Sequence, residues 1–242
     1  MHHPNRVAIV TGSESGIGYA VTEVLLANEY IVVGADLNNR NTPHERSGNF
    51  TFVPTDVTST RELDSLFSST INRFGRLDAL VNSAGVTGLD TIYEITDESW
   101  NHIIDVNLKA VFFTSQKALT IMTDQGFGKI VNLSSNAGKS GGKAVGAHYS
   151  ASKAGVICLT RSLAQYAAEF GVHVNCVAPG PTRTPMTDEW EEQVSRSLIG
   201  KIPLGRFAEP SEIADAIMFL LSEKSDFITG ETLNVNGGLL MD

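Results

Sequence analysis

Tyr149 and Lys153, four residues apart in the run YSASK, are the pair whose types and spacing could move a proton. On a helix that spacing puts both side chains on one face, about a turn apart. A free phenol has a pKa of about 10, too high for a base at neutral pH. A nearby ammonium favours the phenolate, which can take a proton from a secondary alcohol; in reverse, the phenol protonates a developing alkoxide. Ser135, at the end of an apolar run, is placed to hydrogen-bond the oxygen of such a substrate. On their own, Tyr149 and Lys153 would read as a surface tyrosine and a solvated lysine. A second motif changes that reading.

In TGSESGIGYA (11–20), Gly12, Gly16 and Gly18 lie between an apolar run and a helical pattern. Glycines placed there serve a phosphate. The first permits a sharp turn, the next lets the backbone approach a pyrophosphate, and the third allows close helix–strand packing. N–H groups of the first helical turn then face the phosphate oxygens, and Ser13 and Ser15 could add hydroxyl donors. Asp36 ends the second apolar run, 24 residues beyond Gly12, where a carboxylate binds the ribose hydroxyls of a dinucleotide. The same carboxylate repels a ribose 2′-phosphate. With Leu37 following it and Glu14 in the glycine loop, the expected cofactor is NAD rather than NADP. Arg40 is the one cation that a mobile loop could swing onto a 2′-phosphate.

These residues need a frame, and the apolar pattern supplies one. Strands are predicted at 6–11, 30–36, 50–56, 77–82, 129–135, 173–179 and 232–236. Helices are predicted at 16–29, 59–74, 97–124, 148–170 and 210–222, and 37–49 reads as a loop. Such alternation predicts an α/β fold, a single Rossmann-like doubly wound parallel sheet with helices on both faces. No repeat or linker interrupts it, so residues 1–242 read as a single NAD(P)-binding domain.

Composition excludes several function classes. The formal charge is −9, without a Lys/Arg cluster, which argues against a nucleic-acid partner. No apolar run reaches the length of a membrane span and Met1–Pro4 is no signal peptide, so a cytoplasmic protein is expected. Cys158 and Cys176 read as buried core thiols in a reducing compartment, and no metal-ligand spacing occurs.

The spacing T-G-x-x-x-G-I-G, with NSAG (82–85), YSASK and PGPTRTPM (179–186), resembles the short-chain dehydrogenase/reductase family. The resemblance runs almost end to end, closing with PLGRFAEPSEIA (203–214) and ITGETLNVNGG (228–238). It implies hydride transfer between a nicotinamide cofactor and a secondary alcohol or ketone. Catalytic roles are implied for Asn107, Ser135, Tyr149 and Lys153, with Asn107 in a water relay and Lys153 also on the nicotinamide ribose. The cofactor would meet Gly12, Ser15, Gly16, Ile17, Gly18, Asp36 and Leu37, with Asp56 and Val57 at adenine. Asn82, Ala84 and Gly85 would line the adenine–ribose channel and help stabilise the central sheet, and Pro179, Gly180, Thr182 and Thr184 would reach the nicotinamide. The Ser135–Tyr149 spacing is one residue longer than is usual in the family, which leaves Ser134 as the alternative serine; the pattern N-L-S-S-x-A-G favours Ser135. A homotetramer packed through the two long helices and the last strand is also implied.

The substrate is less legible. Asn136, His148, Arg183 and Lys139 or Lys143 could offer polar contacts, and Trp190 could cover the substrate. Few large apolar residues stand in 136–148 or just after Pro179, so a small polar alcohol or ketone is expected: a polyol, sugar or sugar acid. The alternative is a 3-oxoacyl-carrier-protein reductase, a type that resemblance associates with NADPH and a basic docking patch to which Lys129 could belong. More distant is a non-catalytic NAD(H)-binding regulator, which would have lost part of the Ser–Tyr–Lys set. Trp100 reads as a packing residue.

Overall fold

The computed structural model describes residues 6–40, 42–142, 145–188 and 190–241, so the expectations for Met1–Pro4 and Lys143 lie outside the described residues. Among these, the strands are β1 (Val7–Thr11), β2 (Ile31–Asp36), β3 (Phe50–Pro54), β4 (Ala79–Asn82), β5 (Gly128–Leu133), β6 (Val172–Pro179) and β7 (Thr232–Val235). They pair in parallel throughout, as one seven-stranded sheet ordered 3-2-1-4-5-6-7. The expected Rossmann-like architecture is present.

Alternation along the strands divides the core into two layers. Ala8, Val10, Val32, Val81 and Val131 face α1 (Gly16–Ala27) and α9 (Pro210–Leu221), burying Val21, Leu25, Ile213 and Ile217. Ile9, Val33, Leu80 and Ile130 point the other way, against α2 (Thr60–Phe74), α4 (Ala110–Gln125) and α6 (Ala147–Ala167). Strands covered on both faces lose their polar alternation, which is why they read as continuous apolar runs. Local signals stop the helices where they stop: Ser59 caps α2 by accepting the Glu62 N–H, and Gly75 ends it at φ +73°. Pro210 opens α9 behind a Glu209/Glu212 capping box.

The predicted 97–124 helix is not uniform. It consists of α3 (Asp97–Ile104), a π-helical turn over Asp105–Lys109, and α4. Three short helices were not foreseen: α5 (Ala137–Ser140), α7 (Pro185–Asp188) and α8 (Glu192–Ile199). Residues 37–49 hold only a 3₁₀ turn, Pro43–Arg46, as the loop reading expected. Two surface assignments need correction. Cys158 is exposed on α6, whereas Cys176 is buried as expected, and Trp100 is 41% exposed rather than packed.

Candidate active site

A cleft of about 1010 Å³ opens at the C-terminal ends of the strands, from Asp36 past Gly12 and Gly85 to Tyr149 and Trp190. Its floor begins where β1 turns into α1. Gly12 and Gly16 both adopt positive φ, +69° and +54°, a conformation glycine enters without steric cost. A Cβ on Gly12 would stand 2.9 Å from the Ala84 backbone, and one on Gly18 only 2.1 Å from the Gly12 carbonyl oxygen. Gly18 is thus a packing glycine beneath the turn, and it does not line the cleft. Ser15 caps α1 without any side-chain cap bond and does line the cleft. Ser13 is fully buried, its Oγ 2.6 Å from a Cβ built on Gly34, so it offers the cleft no hydroxyl.

The loop after β4 forms the opposite wall. The Thr11 hydroxyl oxygen accepts both the Ser83 and Ala84 N–H groups at 3.1 Å, a clamp that motif reading missed. Ala84 and Gly85 line the cleft, as do Ile17, Leu37, Asp56, Val57, Pro179, Gly180, Thr182 and Thr184. Asp56 turns its carboxylate onto Thr58, accepting the N–H at 2.9 Å and the hydroxyl at 2.7 Å. Of its two expected roles, Asn82 takes the one in the sheet and not the one in the channel. It is buried outside the cleft wall, donating to Asn132 and Ser115 and accepting from Thr114, so it stitches β4, β5 and α4 together.

Tyr149 and Lys153 sit one turn apart on α6, both buried, and both line the cleft with Ser135. The two serines separate cleanly. Ser134 is buried and donates to the Lys153 carbonyl at 2.8 Å. The Ser135 oxygen accepts the Ala137 N–H at 3.1 Å, leaving its proton to donate toward the Tyr149 hydroxyl that it faces. Lys153 Nζ donates to the Leu133 carbonyl at 3.0 Å and stands 5.8 Å from the centre of the Tyr149 ring. Asn107 lies in the π-helical turn, behind Gly85 rather than on the cleft wall. Its amide exchanges two bonds with the Val86 backbone, at 2.9 and 2.8 Å, and donates to Ser152.

Electrostatics revise one expectation. Burial raises the Tyr149 pKa, with the Ser135 hydroxyl opposing, and no lowering by Lys153 matches it. Burial also lowers the Lys153 ammonium to about 8. Desolvation therefore outweighs the mutual help that spacing suggested, and the phenol stays a proton donor at neutral pH. This has a measurable consequence for stability. Between about pH 8 and the ordinary lysine value of 10.5, the unfolded chain binds the proton that folded Lys153 has released, so stability rises with pH. Cys176, pushed up to about 11 from 9.0, acts in the opposite sense above pH 9.0. The melting temperature of the wild-type protein is therefore expected to gain a positive contribution from pH 8 to 9, and Lys153→Met to lose that contribution; equal slopes in both proteins would overturn it.

The expected substrate contacts divide. Asn136 and Trp190 line the cleft, with Trp190 edge-on to Phe207 at 6.1 Å. His148 does not reach the cleft: its ring is buried between Gly88 and Gly146 and bonds Asp90 at 3.0 Å. Arg183 points to solvent, paired with Glu209 at 3.1 Å. Lys129 is bound to Ser222, Ser225 and Asp226, not free on a docking patch. Missed instead were Val145, Met186, Val194, Leu198 and Leu239, which add apolar side chains to the cleft lining beside the polar Gln193, Ser197 and Lys201. Most come from α7, α8 and the C-terminal segment, which tertiary folding alone brings there. No helix among the described residues is long and apolar enough to cross a membrane, and no metal-binding cluster occurs among them.

The residues present fit a dinucleotide: a glycine cradle that a Cβ would fill, an open helix N-terminus and a carboxylate closing β2. Compared with known families, residues 11–240 match the family model described as enoyl-(acyl carrier protein) reductase. The chain belongs to the short-chain dehydrogenase/reductase family. As a short-chain dehydrogenase/reductase it is an oxidoreductase using a nicotinamide cofactor. It is 40% identical to acetoacetyl-CoA reductase of Acinetobacter sp. (strain RA3849), over 98% of each chain. It is 36% identical to a 3-oxoacyl-(acyl-carrier-protein) reductase of Salmonella typhimurium, over the whole of both chains. The crystal structure of gox2181 superposes with a TM-score of 0.94 at 33% identity, covering 98% of this chain and 96% of that one.

Proposed function

We propose that this short-chain dehydrogenase/reductase reduces the keto group of a short 3-oxoacyl thioester to the 3-hydroxy compound, with NADH as hydride donor. The observation that carries the proposal is the set of apolar side chains, Val145, Met186, Trp190, Val194, Leu198 and Leu239, that line the same cleft as Tyr149. Such a lining suits an acyl chain better than a polyol. The names of the relatives support the same reading over the sugar-type substrate expected from the loops. Bound in the cleft, the cofactor supplies the hydride.

The chain's own residues supply the rest. Ser135 donates to the ketone oxygen, and Tyr149 passes its proton to that oxygen as negative charge develops. A phenol held protonated by burial is matched to reduction, the direction that needs an acid. Lys153 holds the nicotinamide ribose, and Asn107, by fixing Val86 and Ser152, keeps the lysine side of the site in register. Asp36 supports NAD over NADP at the other end. For the assembly we propose a homotetramer through the outer faces of α4 and α6, where Phe112, Ala151 and Ala154 are exposed.

The test is turnover of acetoacetyl-CoA, a 3-oxoacyl-carrier-protein substrate and a polyol panel, each with NADH and NADPH or the oxidised forms. Acetoacetyl-CoA reduction with NADH, at a kcat/KM at least about tenfold above that with NADPH, is expected. Turnover confined to polyols would overturn the substrate, and an NADPH preference would overturn the cofactor reading.

A further inference from the structure

Glu14 is an odd residue to find in a phosphate-binding loop. Its side chain is 4% exposed, although the loop lies at the mouth of the cleft. Its N–H donates to the Asp36 carboxylate at 3.2 Å. Its own carboxylate accepts the backbone N–H of Arg40 at 2.9 Å, while Oε1 is buried and finds no hydrogen-bond partner among the described residues. Burying a carboxylate on so few bonds is costly. What that cost secures is geometry: one residue ties the carboxylate at the end of β2 to the loop four residues further on. The loop also packs beside this point, where His44 stacks on Tyr19 at 4.3 Å and approaches Phe50 at 5.5 Å.

From this chain of contacts we infer that Glu14 is a specificity-determining residue for the adenosine half of the cofactor, acting as a clamp on Arg40. The inference rests on the NAD reading above. With the clamp closed, the Arg40 backbone is fixed, and a ribose 2′-phosphate would face the Asp36 carboxylate without a counter-charge. With the clamp released, residues 37–40 are free to carry the guanidinium to that phosphate, which it binds by a charge-assisted, two-pronged contact.

The experiment is direct titration of NADH and NADPH against the wild-type protein, Glu14→Gln, Glu14→Ser and Glu14→Ser with Arg40→Ala, by cofactor fluorescence. Gln keeps an acceptor for the Arg40 N–H; Ser is too short to reach it. Glu14→Ser is expected to lower the NADPH-to-NADH Kd ratio about tenfold, as the loss of a bond to a charged group implies. Glu14→Gln should retain most of the ratio, and adding Arg40→Ala should restore it. An equal change in Gln and Ser would overturn the clamp in favour of charge alone, and no change in Ser would overturn it outright. A wild-type preference for NADPH would overturn the NAD reading instead. The clamp is then judged on NADH affinity, which must fall in Ser and hold in Gln. Should Glu14→Ser not fold, Arg40→Pro against Arg40→Ala tests the bond from its exposed end. Both lose the guanidinium and only Pro loses the N–H, so NADH affinity must fall in Pro alone, and equal affinities overturn the clamp.

Discussion

Tyr149→Phe is expected to lower kcat for ketone reduction by about 10²–10⁴-fold, the usual worth of a positioned general acid. The ring is 9% exposed and packed on α6, so phenylalanine keeps its contacts and loses only the hydroxyl. Ser135 keeps its bond from the Ala137 N–H and can still polarise the ketone, which is why residual turnover is expected. NADH affinity should stay within about twofold, because the glycine cradle, Asp36 and Lys153 are untouched. The informative readout is therefore kcat at saturating cofactor beside a separate NADH titration. A variant with more than about a tenth of wild-type kcat would remove Tyr149 from the proton-donor role.

The second large effect belongs to a residue that touches no substrate. Gly18→Val places a Cβ 2.1 Å from the Gly12 carbonyl oxygen and 2.8 Å from its carbon, both backbone atoms. Neither can yield without displacing the β1–α1 turn, whose other side rests on Ala84. We expect NADH affinity to fall at least about 100-fold, with overpacking costing about 1–3 kcal/mol of stability. Gly48→Ala is the control, since a Cβ there meets nothing within 4 Å. A Gly18→Val protein that binds NADH like the wild type would mean that the turn tolerates displacement and that its glycines do not set the phosphate seat.

Why some of this was legible beforehand follows from distance along the chain. Tyr149 and Lys153 meet within one helix, and Gly12, Gly16 and Gly18 within one turn, so spacing alone defines their geometry. The strands were legible because burial on both faces leaves unbroken apolar runs. His148 was misread as a substrate contact because its surroundings, Gly88 and Asp90, come from a loop some 58 residues away. The apolar side chains of the cleft lining were missed for the same reason: α8 and Leu239 reach the site only after the sheet has folded. From its motif Asn82 had two expected roles, in the channel and in the sheet, and its partners on β5 and α4 draw it inward to the second. The Tyr149 pKa could not be read from spacing at all, because the burial that dominates it belongs to the tertiary structure.

The strand order also sets a timetable for synthesis. Of the seven strands, β1 leaves the ribosome before the others, yet it ends near the middle of the sheet, between β2 and β4. Its second edge stays unpaired until Asn82 has been made, a long wait for an apolar strand whose free N–H and C=O groups invite mispairing. The Gly12 cradle shares that delay, since its far wall is Ala84. A nascent chain arrested before β4 thus has the complete glycine motif and no seat for a phosphate. The wall behind Gly12 is in place only when the fourth strand docks beside the first.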